Sequence, residues 1–113
     1  MKAGIIIRGV GSFYDVVCGG QVFRCRARGR FRRQGVVPVA GDKVRIEPET
    51  GISEGTIEEI LPRKNILNRP AVANIDRLAV VFAAADPVPD LLLVDKLLVT
   101  AEHSRISPLL VIN

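Results

Sequence analysis

The chain has 113 residues, 48% apolar and 25% charged, with sixteen Lys or Arg against twelve Asp or Glu and a net charge of +4. A mean hydropathy of +0.26 is too apolar for a disordered chain, and the length suits about one small domain plus part of another. The longest unbroken apolar stretch, residues 78–85, has eight residues, whereas a membrane helix needs ~20, and no apolar secretion segment follows Met1, so no membrane partner is expected and the default address is cytoplasmic.

Charge is unevenly placed. Residues 1–47 carry ten Lys or Arg against three acids, a net of +7, and residues 48–113 carry six against nine, a net of −3. A basic first half suggests a polyanionic partner, and the six arginines from Arg24 to Arg33 say where it would lie.

In chain order, residues 4–8, 13–17, 21–28, 42–47 and 56–60 are short β-type runs separated by Gly-Gly, Arg-Gly, Ala-Gly-Asp and Glu-Thr-Gly turn signals. Five short strands in so few residues point to a small closed barrel, because an open sheet of that size would leave its edges unpaired; the OB-fold fits best. Cys18 and Cys25 form no C-x-x-C and have no His-rich partner segment, so they assemble no zinc site. A Gly19-Gly20 hairpin makes a disulfide between them conceivable, but without a secretion segment reduced, buried thiols are the expectation.

After Leu61 the pattern changes. The Pro and polar content of residues 62–70 reads as a connector, with a boundary near Pro70, so that residues 1–69 form the barrel domain and 70–113 begin another. Residues 77–85 then form a continuous apolar run of the kind found in a parallel strand covered on both faces. Leu91, Val94, Leu98 and Ala101 recur at helical spacing, with Asp90 placed as an N-cap and the helix running to about His103. A second buried strand over residues 109–112 completes a strand, helix, strand unit. Two strands and one helix cannot enclose a core of their own, so the chain is expected to be truncated from a longer protein or completed from elsewhere.

The chemistry-bearing residues cluster on the third strand and just after it. Alternation sends Arg24, Arg26 and Arg28 to one face and Phe23, Cys25 and Ala27 to the other. Arg30, Arg32 and Arg33 continue the charge into the next loop around Phe31. Guanidinium groups beside an aromatic ring suit phosphate contact plus base stacking. The plainer alternative is a solvated strand whose charge discourages edge pairing. Six arginines with no acid among them would repel one another unless an anion is present, and arginine is the better bidentate phosphate ligand, which favours RNA contact by Arg24, Arg26, Arg28, Arg30, Phe31, Arg32 and Arg33. Phe31 has two possible places, on a base or in the barrel core.

Other residues point to no chemistry. His103 reads as a helix-end residue, Asp42 as a turn residue and Glu58-Glu59 as an exposed strand end. No Ser-His-Asp set, catalytic carboxylate pair or G-x-x-x-x-G-K-[ST] loop occurs.

Several segments nevertheless resemble one family in order and spacing: Gly11-Ser-Phe-Tyr-Asp-Val16, Phe23-Arg-Cys-Arg-Ala-Arg-Gly-Arg-Phe-Arg32, Pro38-Val-Ala-Gly-Asp42, Ile60-Leu-Pro-Arg-Lys-Asn-Ile-Leu-Asn-Arg-Pro70 and Ala73-Asn-Ile-Asp76. They resemble the ribosome small-subunit-dependent GTPase A family, over the whole chain. The resemblance implies an N-terminal OB-fold that binds rRNA, then a circularly permuted GTPase domain, then a zinc-binding domain, acting late in small-subunit assembly. It also implies that Asn113 is the first residue of the guanine-recognition motif N-K-x-D. The expected fold is therefore an OB barrel followed by the first strand-helix-strand unit of a P-loop GTPase domain. GTP and magnesium belong to the full-length family and zinc to its C-terminal domain; none is expected bound to these residues, nor any catalytic residue among them. The partners implied are the small ribosomal subunit and its rRNA. The alternatives are a stand-alone RNA-binding OB module without catalysis and a small enzyme domain completed by another chain.

Overall fold

The computed structural model describes residues 1–48, 54–82 and 91–112. These fall into two compact units, Met1–Asn74 and Ile75–Asn113.

In the first unit the five expected strands are present: β1 (Lys2–Val10), β2 (Phe13–Cys18), β3 (Gln21–Ala27), β4 (Lys43–Glu47) and β5 (Gly55–Ile60). The β2–β3 hairpin turns at Gly19 and Gly20, whose φ values of 55° and 81° are the left-handed pair that a two-residue hairpin loop needs. The strands close in the order β1-β2-β3-β5-β4, with β4 returning to β1, which is the OB barrel. Neighbours are antiparallel except β3 and β5, which run parallel from Cys25↔Gly55 to Ala27↔Ile57. A register shift between Ile6 and Arg8 bends β1 so that one strand serves two neighbours. Side chains alternate in and out, and Ile6, Val16, Cys18, Cys25, Val44, Ile46 and Ile57 fill the interior. Both cysteines are free and buried; burial pushes the Cys18 thiol up in pKa against a smaller opposing pull from Lys2.

Arg30, Arg32 and Arg33 do not lie in a loop. Residues Gly29–Arg33 form one helical turn, α1, closed by Val36 N–H donating to Phe31 O at 2.8 Å. Phe31 drives this: it is the only apolar side chain in the turn, and it is 7% exposed and part of the barrel core.

Asp42 does more than turn the chain. Its carboxylate is fully buried, and it accepts from Arg63 Nε at 2.8 Å, from Arg63 Nη2 at 2.8 Å and from the Val39 amide at 2.9 Å. Burying a carboxylate without such partners would cost several kcal/mol. Arg63 also donates to the Val37 carbonyl at 2.8 Å, and the Asp42 hydrogen bond raises the pKa of its guanidinium.

The stretch expected to be a plain connector therefore packs on the barrel. It contains a small hairpin, β6 (Ile66–Asn68) and β7 (Ala71–Ala73), with Leu67 and Ala73 buried. Ala73 N–H donates to the Ala40 carbonyl at 2.9 Å, and Asn74 Nδ2 donates to the Gly41 carbonyl at 2.9 Å. Gly41 sits at φ 90°, and a Cβ there would overlap the Ala73 carbonyl oxygen, so backbone packs on backbone where a side chain has no room.

The second unit has β8 (Arg77–Phe82), α2 (Leu91–His103) and β9 (Ser107–Ile112), with β8 and β9 parallel from Arg77↔Ser107 to Phe82↔Ile112. The expected helical stripe is buried at Val94 and Ala101, while Leu91 at the helix start is exposed. Strand β9 starts at Ser107, earlier than the sequence pattern suggests, and its residues are exposed rather than buried. Asp90 and Asn113, expected as an N-cap and as a guanine-motif residue, lie outside the described residues.

Candidate nucleic-acid interface

Strand β3 alternates as its sequence dictates: Cys25 is fully buried, while Arg24 and Arg26 are exposed on the outer face of the barrel. Arg28 follows in extended backbone (φ −60°, ψ 142°) at the N-cap of α1, and Arg30, Arg32 and Arg33 follow on α1, all exposed. The six arginines thus follow one another, all exposed, along β3 and α1.

The charges are not without acids. Arg26 Nε donates to Glu54 Oε2 at 3.0 Å. Arg28 grips Glu58 with two donors, Nε at 3.0 Å from Oε2 and Nη2 at 2.8 Å from Oε1, and Arg30 Nη2 donates to the Glu58 backbone carbonyl. Closure of β3 against β5 makes this possible, because the β5 carboxylates are far away in sequence and adjacent in space. The mutual repulsion expected of six unpaired arginines is therefore relieved in part within the barrel. Nor is Glu58-Glu59 an exposed strand end: both residues are half-buried, with Glu59 accepting from Arg45 at 3.3 Å. The hydrogen bond from Arg28 pulls Glu58 below the ordinary glutamate pKa, with the charges of Arg28 and Arg30 adding to it and burial opposing it. The same bond raises the pKa of Arg28. The side chains of Arg24, Arg32 and Arg33 have no ion pair or hydrogen bond among the described residues.

The aromatic ring on this surface is not the expected one. Phe31 is a core side chain, and a ring 7% exposed cannot offer its face to a base. Phe13 holds that place instead. It opens β2 opposite Arg26, is half-buried, and has the guanidinium carbons of Arg24 and Arg26 at 4.2 and 4.5 Å from its ring centre, within the range of a cation–π contact. The signal was available in the strand alternation: register across a Gly-Gly hairpin puts Phe13 on the arginine face and Tyr14 on the core face.

Cofactor fit is quickly stated. Among the described residues no three His, Cys, Asp or Glu side chains gather as a metal set. The 113 residues contain no G-x-x-x-x-G-K-[ST] phosphate-binding loop.

An OB barrel with an arginine-rich outer face, followed by a parallel strand-helix-strand unit, defines the class: a barrel domain leading into the start of an α/β domain. Residues 3–57 match the family model for the RsgA N-terminal domain, and residues 60–113 match that for the RsgA GTPase. The chain is 46% identical over 116 residues to the small ribosomal subunit biogenesis GTPase RsgA of Ruminiclostridium cellulolyticum, covering all of this chain and 38% of that protein. It is 43% identical over 110 residues to RsgA of Carboxydothermus hydrogenoformans, covering 97% of this chain and 38% of that one. Two solved structures superpose on 99% of it. YloQ, described as a circularly permuted GTPase, does so with a TM-score of 0.81 at 35% identity over 40% of its own chain, and YjeQ from Thermotoga maritima with a TM-score of 0.84 at 33% identity over 41%. The chain belongs to the RsgA family and spans about 38% of the length of the curated relatives it matches.

Proposed function

We propose that these residues are the N-terminal part of a ribosome-biogenesis GTPase, with a barrel that binds small-subunit rRNA and, in the full-length protein, hydrolysis of GTP late in small-subunit maturation. The observation that carries the reading is the run of exposed arginines from Arg24 to Arg33, the first two of them over the Phe13 ring. The outer face of the second and third strands is where OB barrels bind oligonucleotides. Exposed guanidinium groups give phosphate contact and counterion release. The family supports the choice of rRNA over other polyanions, because the relatives are named for small-subunit biogenesis. GTP and magnesium belong to the rest of the GTPase domain and zinc to a C-terminal domain. Asn113 is the contribution of these residues to guanine recognition, and the 113 residues alone neither bind nor hydrolyse GTP. The protein acts in the cytoplasm.

The test is binding of single-stranded RNA across a salt series. If about four to six arginines each release a counterion, the log–log slope is about −3 to −4. Changing Arg28, Arg30 and Arg32 together to Glu is expected to flatten the slope and abolish tight binding. Unchanged binding by that triple variant overturns the reading.

A further inference from the structure

The barrel carries a cleft of about 720 Å³ between the β1–β2 turn and the segment running from the end of β3 through α1, lined among others by Ser12, Tyr14, Arg28, Gly29, Phe31 and Arg32. This volume lies in the ~300–1,000 Å³ range of small-ligand sites. We propose that the cleft takes one unpaired nucleotide of an RNA strand, its base against the Tyr14 side of the cleft and its phosphate on Arg28 and Arg32. This rests on the barrel being an RNA-binding surface and goes beyond it, because it distinguishes a looped-out nucleotide from paired RNA.

Three features carry it. First, the lining combines an apolar floor with polar groups that have nothing to bind. The hydroxyls of Ser12 and Tyr14 and the guanidinium of Arg32 make no hydrogen bond or ion pair among the described residues. No side-chain polar atom there is buried and unsatisfied, so those groups are open to a ligand.

Second, the cation on the rim is held in place. Glu58 engages Nε and Nη2 of Arg28 and leaves Nη1 for a phosphate oxygen. A guanidinium fixed in this way loses less freedom on binding than a free one.

Third, the space is kept by glycine. Gly29 has no heavy atom within 4 Å of where a Cβ would stand. At Gly9, opposite Tyr14 in the β1–β2 ladder, a Cβ would lie 3.1 Å from the Tyr14 ring, so glycine gives that ring room. An anion alone would need no apolar floor, and an apolar ligand alone would need no arginines. A nucleotide uses both, and Arg28 joins the cleft to the arginine surface along which the rest of the strand would run.

The experiment compares two RNA hairpins, one fully paired and one with a single 2-aminopurine nucleotide bulged from the same stem, together with free AMP and UMP. Two variants alter the cleft, one by adding a side chain and one by removing a hydroxyl. Gly29→Leu enters open space, and Tyr14→Phe removes only a hydroxyl without a described partner; thermal melts confirm that both fold. The wild type is expected to bind the bulged hairpin about tenfold more tightly than the paired one, one base's worth of contact. The 2-aminopurine fluorescence should change on binding. Gly29→Leu should remove the preference and Tyr14→Phe reduce it, both leaving paired-hairpin affinity unchanged. Equal affinity for the two hairpins, or equal losses for both in the variants, overturns this proposal while leaving the RNA surface intact. Saturable AMP or UMP binding that blocks the bulged hairpin would assign the cleft to free nucleotides and overturn the RNA assignment. Binding of neither hairpin overturns the RNA reading and this one with it.

Discussion

Arg63 is the residue whose removal the structure makes most informative. It lies beyond the last barrel strand, in a stretch the sequence marks as a connector, yet its guanidinium supplies two of the three hydrogen bonds to the buried Asp42 carboxylate. In Arg63→Met most of the aliphatic stem remains and the charge goes, so Asp42, whose side chain is 0% exposed, keeps a single amide donor. Breaking a buried pair from one side costs about 3–5 kcal/mol. The Arg63 side chain is 24% exposed and the Val39 amide remains, so the low end, about 3 kcal/mol, is expected. For a unit of this size that is a fall in Tm of about 12–24 °C. Urea denaturation followed by circular dichroism gives the same quantity as a shift in midpoint at unchanged slope. Asp42→Asn and the double variant complete a cycle, and the double variant is expected to be more stable than the sum of the singles by about 2 kcal/mol. A loss under about 1 kcal/mol for Arg63→Met, or a coupling near zero, would refute the idea that residues after Leu61 are integral to the barrel.

Two further outcomes follow from the interface. Phe31→Ala is expected to lower stability by about 3–5 kcal/mol, the cost of emptying a core phenylalanine site, while the folded fraction keeps its affinity for fully paired RNA; a loss of that affinity at unchanged melting temperature would return Phe31 to the arginine surface. The folded pKa of Glu58 is depressed, so whatever the Arg28–Glu58 pair contributes is present above the unfolded carboxylate pKa and lost as pH falls through the lower folded value. An NMR titration of the Glu58 carboxyl should show its midpoint below the ordinary glutamate value in the wild type and higher in Arg28→Ala; equal midpoints would dissolve the pair as drawn.

The barrel was legible because its information is local. Strand alternation, the Gly19-Gly20 turn and β-type runs of five to eight residues each act within a few positions, and the observed strands differ from the expected ones only at their ends. What escaped was whatever depended on partners far away in sequence. Nothing in Ala-Gly-Asp42 announces that its carboxylate will meet Arg63, 21 positions on. Nothing near Arg28 points to Glu58, 30 positions on. The Phe31 error has a related cause: a phenylalanine among arginines looks like a displayed ring, whereas one helical turn is enough to send it inward while its neighbours stay out. Phe13 could have been found by register alone, since the hairpin pairs it with Arg26.

The two units differ in what burial does for them, and this decides where a binding argument can rest. In the first, strands from both ends of the barrel sequence contribute fully buried side chains to a single interior, so the arginine surface stands on a rigid scaffold, the condition for presenting charges in a fixed array. In the second, Leu92, Leu93 and Val99 of α2 and Leu109 to Ile112 of β9 are exposed, and among the described residues only Val80, Val94, Ala101 and Ile106 are buried. Two parallel strands and a helix hold too little apolar area out of water to offset the entropy of ordering their backbone. Burial among the described residues therefore holds the second unit together less than it holds the first. The arginine array rests on the first kind of burial, because every residue that carries it, from Phe13 through Arg33 to Glu58, belongs to the closed barrel or to the helical turn packed on its core.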